Sequence, residues 1–379
     1  MIEYFSNFQN NKINITSPDL LNALVLFQFF IIALLTIKKD PTSKISFFSY
    51  NQTEQLKGIA ILFVIIGHLW VHVSSTRPCL VFSGDAVSIF LILSGFGLAI
   101  SSVSKEIDLK TFIKKRINRV MLPYWIATIT LLCLDYFFLN KYLKIKDVIM
   151  TFLGLNFTTE LRVLDYVRWF VTFLLFWYSI FYIVNRLKNK LHKISLFLLV
   201  SFFMLPLNYY LFHFGWYQFF SFPVGYTIGV YYESFKYKWN NNRALILSIS
   251  IIFFIISICY KFLFSNAHIN SILLSKIPNI IIVYVNDAIS VIFSIGICFI
   301  FLSISNKGYK SKFLLFLGRY SYELFLLHGA FLIKYNPFIY DASAIRIFFG
   351  FTIFFVFISI LAISLSTTSQ FINSKLLRG

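Results

Sequence analysis

The stretch Leu56–His72, LKGIAILFVIIGHLWVH, is apolar and close to the length needed to cross a bilayer as a helix, with a cation near its start and two histidines further along. At about 1.5 Å of rise per residue, His68 lies roughly 16 Å along this helix from Lys57, about half of a hydrocarbon layer ~30 Å thick. His72 follows four residues later on the same helix face. An ionisable side chain inside a membrane is costly, so Lys57 and His68 are the first candidates for a functional site.

The composition of the chain is that of a polytopic membrane protein. Of its 379 residues, 58% are hydrophobic, 20% are aromatic and only 13% are charged, which is more apolar surface than one soluble core needs. The pattern predicts an all-α protein with eleven apolar spans, near residues 20–37, 56–74, 81–102, 120–139, 166–187, 194–212, 215–234, 244–264, 279–305, 313–334 and 344–369. The basic residues behind the net charge of +19 are dispersed over short loops, so they indicate membrane topology and not a nucleic-acid partner.

The distribution of lysine and arginine predicts which side of the membrane each loop faces. Loops on one side hold 22 of these residues, loops on the other side hold 11, and Arg319 lies within a span. By the positive-inside rule the first side is cytoplasmic, which places the N-terminus outside, the C-terminus inside and Lys57 at the cytoplasmic face. The first span is expected to remain as an anchor, because its basic residues Lys38 and Lys39 follow the apolar run, whereas those of a signal peptide precede it.

A basic residue, ten intervening residues and a histidine in the first core helix resemble the signature of the membrane acyltransferases of acyltransferase family three. Further elements that resemble the family are Ser94-Gly95-Phe96, the Arg116-x-x-Arg119 element before Pro123-Tyr124, the helix led by Trp169, and Leu317-Gly318, Ser321-Tyr322 and Leu326-Leu327-His328 in a later span. The resemblance covers residues 55–370 or so and implies a ten-helix core preceded by one extra N-terminal helix. The family usually has arginine where this chain has Lys57, which keeps the charge but lacks the planar guanidinium fork.

This resemblance also predicts how the chain is divided. Residues 1–55 are expected to form an external tail, the extra transmembrane helix and a cytoplasmic linker. Residues 56–370 form the acyltransferase membrane domain, and residues 371–379 form a cytoplasmic tail.

Arg116 and Arg119 are the candidates for binding the acyl donor. They lie three residues apart in the most basic segment of the chain, so both guanidinium groups can reach one polyanion from the same helix face. A cytoplasmic donor that carries a diphosphate, such as acyl-CoA, fits this arrangement. The alternative is ordinary positive-inside charge or contact with anionic lipid headgroups, which is sufficient to explain the neighbouring lysines.

Lys57 and His68 are the predicted catalytic residues. A neutral imidazole can take a proton from a hydroxyl group or carry an acyl group, and Lys57 can hold donor phosphate or an acidic partner. The alternative for His68 is a buried structural histidine that hydrogen-bonds to a neighbouring helix. Further candidates for substrate binding or for support of the site are His72, Asp85, Ser94, Trp169, Ser321, Tyr322 and His328.

Several polar residues within the spans also have structural explanations. Asp85 is placed to orient a histidine or bind a sugar hydroxyl, or else it is a solvated acid at a helix start. Trp169 suits an interfacial aromatic belt, and Asp287 is either a site acid or a paired structural one. Arg319 and Glu323 are four residues apart and are predicted to neutralise each other. The four cysteines show neither a disulfide framework nor the spacing of metal ligands.

The resemblance implies transfer of an acyl group, usually acetyl, from cytoplasmic acyl-CoA to a hydroxyl group of an envelope polysaccharide or lipid-linked glycan. Acetyl-CoA would be a co-substrate, with no permanently bound cofactor and no metal, in the cytoplasmic membrane of a bacterium. The alternative is a transporter or flippase for a lipid-linked glycan, which would also have many spans and intramembrane polar residues. The lack of an evident internal repeat and the arginine pair favour the transferase. A purely structural subunit would leave Lys57 and His68 unexplained.

Overall fold

The computed structural model describes residues 8, 12–39, 47–103, 108–156, 164–212, 218–265, 275–305, 308–339 and 341–376. Among these residues, nine helices are long and apolar enough to cross a membrane, and the sheet is a single pair of three-residue strands. The chain is therefore an all-α polytopic membrane protein, as its sequence predicts. The predicted external tail and cytoplasmic linker lie largely outside the described residues, whereas the predicted C-terminal tail is helical as far as Leu376.

The elements of the first half are α1 (Pro18–Leu35), β1 (Ile37–Lys39), α2 (Tyr50–His68), α3 (Ser83–Val103), α4 (Leu109–Arg116), α5 (Leu122–Leu139), α6 (Ile145–Phe152), α7 (Trp169–Asn185) and α8 (Lys190–Leu207). Those of the second half are α9 (Ser221–Val230), α10 (Tyr232–Asn241), α11 (Arg243–Ser265), α12 (Asn279–Ser305), β2 (Tyr309–Ser311), α13 (Lys312–Arg319), α14 (Ser321–Ile333) and α15 (Ala344–Leu376). Three π-helical turns extend α2 (Leu69–Val73), join α4 to α5 (Ile117–Met121) and extend α8 (Asn208–Phe212), and a 3₁₀ turn (Tyr166–Arg168) leads into α7.

Two of the eleven predicted spans are each divided into two shorter helices. The span predicted at 215–234 breaks between α9 and α10 at Tyr231 (φ −103°, ψ 31°), and the one at 313–334 breaks between α13 and α14 at Tyr320 (φ −102°, ψ 14°). Neither break occurs at a proline. Hydropathy averaged over a span does not show where a helix is interrupted, so the sequence does not locate the breaks. The break at Tyr320 separates Arg319 from Glu323. Within the described part of the chain these two form no ion pair, so the predicted neutralisation is wrong.

Helix α2 lies in the interior of the bundle. In the most apolar 18-residue stretch of this helix and its extension, 72% of the residues are buried, compared with 11% in the matching stretch of the peripheral α11. Helix α13 runs antiparallel to the start of α2, because Gly58 packs against the carbonyl group of Leu314 and Gly318 packs against the carbonyl group of Glu54. Neither glycine has room for a Cβ, so the small residues set this close approach. The glycine-dependent contact fixes the end of α2 that carries Lys57.

Helices α3 and α9 run parallel at similarly short range, because Gly225 of α9 lies against Ile92 of α3 and Gly229, one turn further on, lies against Phe96. Gly95 of α3 packs against the carbonyl group of Phe222, and Gly225 of α9 packs against the carbonyl group of Ile92. The packing explanation for Gly95 therefore holds. Gly97, two residues on, has no atom within 4 Å of where a Cβ would stand, so it faces open space.

The extra N-terminal helix α1 is attached to the bundle at both of its ends. At one end β1 pairs antiparallel with β2, with Ile37 opposite Ser311. Near the other end the Asn22 side chain accepts a hydrogen bond of 2.8 Å from Nε1 of Trp70 and donates one of 2.9 Å to the carbonyl group of Leu80. These contacts hold the N-terminal segment against α2 and its π-helical extension.

Candidate active site

His68 of α2 and His328 of α14 form a hydrogen bond in the interior of the bundle. Nδ1 of His68 lies 2.6 Å from Nε2 of His328, and the two ring planes differ by 3°. Since the ring centroids are 4.9 Å apart, much further than the two nitrogens, the rings meet edge to edge and are not stacked. The exposed fraction is 7% for His68 and 0% for His328, so this pair is nearly closed to solvent.

The backbone of α14 fixes the tautomers of both histidines. Nδ1 of His328 lies 3.0 Å from the carbonyl oxygen of Leu324 and 2.9 Å from that of Phe325. Carbonyl oxygens only accept, so Nδ1 of His328 carries the proton, and in the neutral ring Nε2 is the acceptor. Nδ1 of His68 must then donate to it, which leaves a lone pair on Nε2 of His68. Nε2 of His68 has no hydrogen-bond partner among the described residues, so its lone pair can accept a proton.

His72 lies one helical turn beyond His68, at the end of α2 that is opposite Lys57. Its ring centroid is 5.1 Å from that of His68, and it stacks on the ring of Tyr166 at 5.3 Å with 10° between the planes. Nε2 of His72 is buried, and no described residue bonds to it. His72 therefore extends the polar site from the histidine pair toward the far end of the bundle.

A cavity of about 470 Å³ lies at the Lys57 end of α2. Four cationic residues line it, namely Lys57, Lys115, Arg116 and Arg119. Its inner wall is apolar and includes Phe90, Leu93, Phe170, Leu174 and Phe325. The ring centroid of Phe325 is 4.9 Å from that of Phe170 and 5.6 Å from that of His328, so a single aromatic ring separates the inner wall from the histidine pair.

The structure brings six of the predicted site residues to this cavity: Lys57, Ser94, Arg116, Arg119, Ser321 and Tyr322. The hydroxyl group of Tyr322 donates a hydrogen bond of 3.0 Å to the carbonyl group of Val120, and Ser94 Oγ lies 3.4 Å from the hydroxyl oxygen of Tyr178. Gly97 leaves space on the same wall. The cavity therefore combines cations with neutral hydrogen-bonding groups.

Aromatic rings and one acid position the cations. The guanidinium carbon of Arg116 lies 4.9 Å from the ring centroid of Tyr178 and 5.4 Å from that of Phe112, an arrangement that favours a cation. Its Nε is buried and has no hydrogen-bond partner within the described residues. Nζ of Lys57 lies 2.8 Å from Oε1 of Glu54, one turn earlier on α2. The arginine is thus held by its neighbours while it retains donor capacity for a ligand.

Asp85, Trp169 and Asp287 do not line the cavity. The Asp85 carboxylate is buried and lies 2.6 Å from Nζ of Lys261. It also accepts a hydrogen bond of 2.9 Å from Ser290. These two contacts join α3 to α11 and α12. Trp169 is 3% exposed and lies in the interior, which does not fit an interfacial belt. Asp287 accepts hydrogen bonds from the backbone N–H groups of Phe219 and Phe220, at 2.8 and 3.3 Å, and so holds the segment before α9.

Arg168 was not identified from the sequence, although it is the largest charged side chain in the buried core. It is 1% exposed, and its Nε donates a hydrogen bond of 3.0 Å to Asp165 while its Nη1 donates one of 2.6 Å to Thr128. The guanidinium carbon lies 4.9 Å from the ring centroid of Tyr124. The available signal was an arginine inside the apolar run that contains Trp169, since intramembrane charge is itself unusual.

A second buried ion pair fixes the far end of α14. Nζ of Lys334 lies 3.0 Å from Oδ2 of Asp135 on α5, and the hydroxyl group of Tyr335 donates to the same carboxylate. Asp135 and Lys334 are 1% and 3% exposed. Because His328 lies fewer than two turns before Lys334, this pair contributes to the position of the histidine pair.

The described part of the chain is thus a polytopic membrane protein with a histidine pair inside its bundle of apolar helices, beside a cavity lined with cations. The chain belongs to acyltransferase family three, because the model of that family, an acyltransferase domain, matches residues 51–368. The match begins at the second residue of α2 and ends within α15, so α1 lies outside it. No curated protein and no solved structure matches the chain. The resemblance inferred from the sequence motifs is confirmed, and the protein is a membrane acyltransferase.

Proposed function

We propose that this acyltransferase moves an acetyl group from cytoplasmic acetyl-CoA to a hydroxyl group of an envelope polysaccharide or lipid-linked glycan. Membership of the family supports acyl transfer. The observation that carries the proposal further is the cavity that begins at Lys57, Arg116 and Arg119 and ends one aromatic ring away from the His68–His328 pair. It matches a donor with a polyanionic head and a reactive thioester at the end of a long, mostly uncharged arm.

The cations of the cavity suit the nucleotide diphosphate of the donor. Charge-assisted hydrogen bonds from guanidinium groups to phosphate are short and strong, and a point charge at Lys57 adds to them. The apolar wall then takes the uncharged arm. Since Phe325 packs against His328, the thioester reaches the histidine pair when this ring turns aside.

His68 has the geometry of a general base for the transfer. Nε2 takes the proton of the acceptor hydroxyl group as that oxygen attacks the thioester carbonyl carbon. The carbon–oxygen bond forms, the carbon–sulfur bond breaks, and the proton on Nε2 passes to the departing thiolate, so the products are an ester and free CoA. His328 stabilises the transient imidazolium, because its Nε2 accepts from Nδ1 of His68 throughout. An acetyl group carried covalently on Nε2 is the other route that this geometry supports.

We assign the Lys57 end of the bundle to the cytoplasm and the His72 end to the outside of the cytoplasmic membrane of a bacterium. The two-to-one excess of lysine and arginine in the loops on the Lys57 side supports this orientation. The donor then enters from the cytoplasm and the acceptor from outside, and the two meet at histidines within the membrane.

The test is transfer by the purified protein in lipid nanodiscs. With labelled acetyl-CoA and a mixture of envelope glycans, we expect release of free CoA together with label in an alkali-sensitive ester on the glycan. His68→Ala should reduce both by about a hundredfold or more, whereas His192→Ala, which changes an exposed histidine on α8, should reduce neither. Glycan movement across a vesicle membrane without any labelling would identify a transporter and overturn the proposal.

A further inference from the structure

The segment before α1 crosses the end of α2 that carries His72. Ile13 pairs with Ser74 in a parallel bridge, with its N–H donating to the carbonyl group of Val73 at 3.0 Å and its own carbonyl group accepting from Ser75 at 2.8 Å. Ile15 is 1% exposed, so the segment is packed in place. It lies outside the matched family domain, which begins at residue 51.

This segment places a lysine beside the histidine site. Nζ of Lys12 donates a hydrogen bond of 2.7 Å to the carbonyl group of Val71, which directs the ammonium group to the π-helical turn that extends α2. Arg77 lies beside the same segment, because the hydroxyl group of its neighbour Thr76 donates a hydrogen bond of 2.8 Å to the carbonyl group of Ile15. Lys12 and Arg77 both act electrostatically on the His72 ring, and Arg77 acts on Lys12 as well. Partial desolvation, and to a lesser degree the charge of Arg77, lower the pKa of Lys12.

The cluster of Lys12, Arg77 and His72 contains no acid among the residues described. Neither Lys12 nor Arg77 takes part in a salt bridge in that part of the chain. Nε2 of His72 is buried and lacks a hydrogen-bond partner there. Like charges that gather without a counter-ion destabilise each other, and a bound anion would relieve the repulsion.

We propose that Lys12, Arg77 and His72 form a subsite for an anionic group, carboxylate or phosphate, carried by the acceptor glycan. The proposal rests on the function proposed above. The subsite lies at the end of α2 opposite the donor cavity, and the His72 ring is 5.1 Å from that of His68. An acidic sugar held here presents a hydroxyl group of the same or the adjoining residue toward Nε2 of His68. The enzyme therefore prefers an acidic acceptor, and a segment outside the family domain supplies part of this preference.

The test is direct binding of defined sugars to the full-length protein in nanodiscs of phosphatidylcholine, which provides no anionic lipid. Three probes are titrated without a donor: a galacturonic acid tetramer, its carboxyl-reduced galactose counterpart, and a galactose tetramer with a terminal phosphate. We expect the wild-type protein to bind at least one of the charged probes about tenfold or more tightly than the neutral one, since ionic hydrogen bonds are worth about that factor. Carboxylate and phosphate are distinguished by which charged probe shows the preference.

The preference should fall to less than about threefold in Lys12→Gln/Arg77→Gln and return in Lys12→Arg/Arg77→Lys. Lys146→Gln, which removes an exposed lysine near the start of α6, is the matched control and should keep the preference. Equal binding of all three probes by the wild-type protein, or an unchanged preference in the double glutamine variant, would overturn the subsite. A normal charge preference without any acetyl transfer would overturn the proposed function and leave the subsite intact.

Discussion

His68 and His328 are 260 residues apart in the chain, yet their rings share one plane and one hydrogen bond of 2.6 Å. In many hydrolases a carboxylate orients the catalytic histidine, whereas here a second imidazole orients His68, and the backbone of α14 orients that imidazole in turn. A neutral partner adds no negative charge to a site inside a membrane, where an unpaired carboxylate would be costly. The histidine pair therefore polarises His68 without adding a formal charge at a depth where charge is costly.

His68→Ala should reduce acetyl transfer by about 10²–10⁴-fold, because positioned proton transfer contributes about that much. The protein should still insert and accumulate normally, as measured by its level in isolated membranes. His72→Ala, one turn further on, should cause a smaller loss. Transfer by His68→Ala at a tenth of the wild-type rate or more would exclude both the base and the acyl-carrier roles.

Substitutions of His328 should separate orientation from packing. The amide oxygen of His328→Gln can still accept from Nδ1 of His68, so this variant should keep a measurable part of kcat. His328→Leu has no acceptor, leaves the His68 tautomer unspecified, and should lower kcat about tenfold further. Steady-state kinetics at saturating donor provide the comparison. Equal kcat values for the two variants would show that the hydrogen bond between the histidines does not set the reactive tautomer.

Arg116→Ala and Arg119→Ala should raise the apparent KM for acetyl-CoA about tenfold while the KM for the acceptor changes much less. The reason is that charge-assisted bonds to phosphate are lost only at the donor end of the site. Titration of each substrate at a fixed level of the other gives both values. Lys110→Ala, an exposed lysine of α4 that does not line the cavity, serves as the control. An unchanged donor KM in both arginine variants would reduce these residues to determinants of topology.

Arg168→Met should destabilise the protein strongly, by about 3–5 kcal/mol, because it leaves the buried Asp165 without its cation. The control is Arg186→Met. Arg186 follows the last residue of α7, is exposed, and also lies over a tyrosine ring, so its loss should lower the free energy of unfolding by less than about 1 kcal/mol. Unfolding of both variants in the same detergent, followed by tryptophan fluorescence, tests the difference. Similar stability of the two would mean that the Arg168 network does not hold this region together.

Sequence predicts this structure well where the signal is local. Apolar runs of about 20 residues located the long helices, and the motif residues Lys57, Arg116, Arg119 and Ser321 meet at one cavity. The breaks at Tyr231 and Tyr320 were not predicted, because no proline marks either position and contacts between distant parts of the chain leave no local signal. The close contact of Gly318 with Glu54, for instance, joins residues that are far apart in the chain.

The buried ion pairs show a different limit of sequence reasoning. Lys334 pairs with Asp135 across 199 residues, and neither residue carries a pattern that names its partner. Asp85, by contrast, was a candidate for orienting a histidine, but Lys261 and Ser290 engage its carboxylate. A charged residue within a span is a sound signal of a polar contact. Which contact it makes depends on the tertiary structure.

Lys57→Arg should keep substantial activity, since charge and reach survive, whereas Lys57→Met should lose most of it despite a similar length. The ion pair with Glu54 adds a second explanation for such a loss, because methionine would leave the Glu54 carboxylate, 2.8 Å from Nζ of Lys57, without its cation. Lys57→Met/Glu54→Gln distinguishes the two explanations.

If Lys57 holds donor phosphate, the double variant should stay as inactive as Lys57→Met, with a raised KM for acetyl-CoA. If Lys57 serves only to neutralise Glu54, activity should return in the double variant. Insertion should be normal in all of these variants, because Lys38, Lys39 and Lys44 remain before the same span, and cysteine accessibility in the loop near the start of α6 can verify it. Full acetylation by Lys57→Met would remove Lys57 from the site and leave the histidines as its only supported catalytic groups.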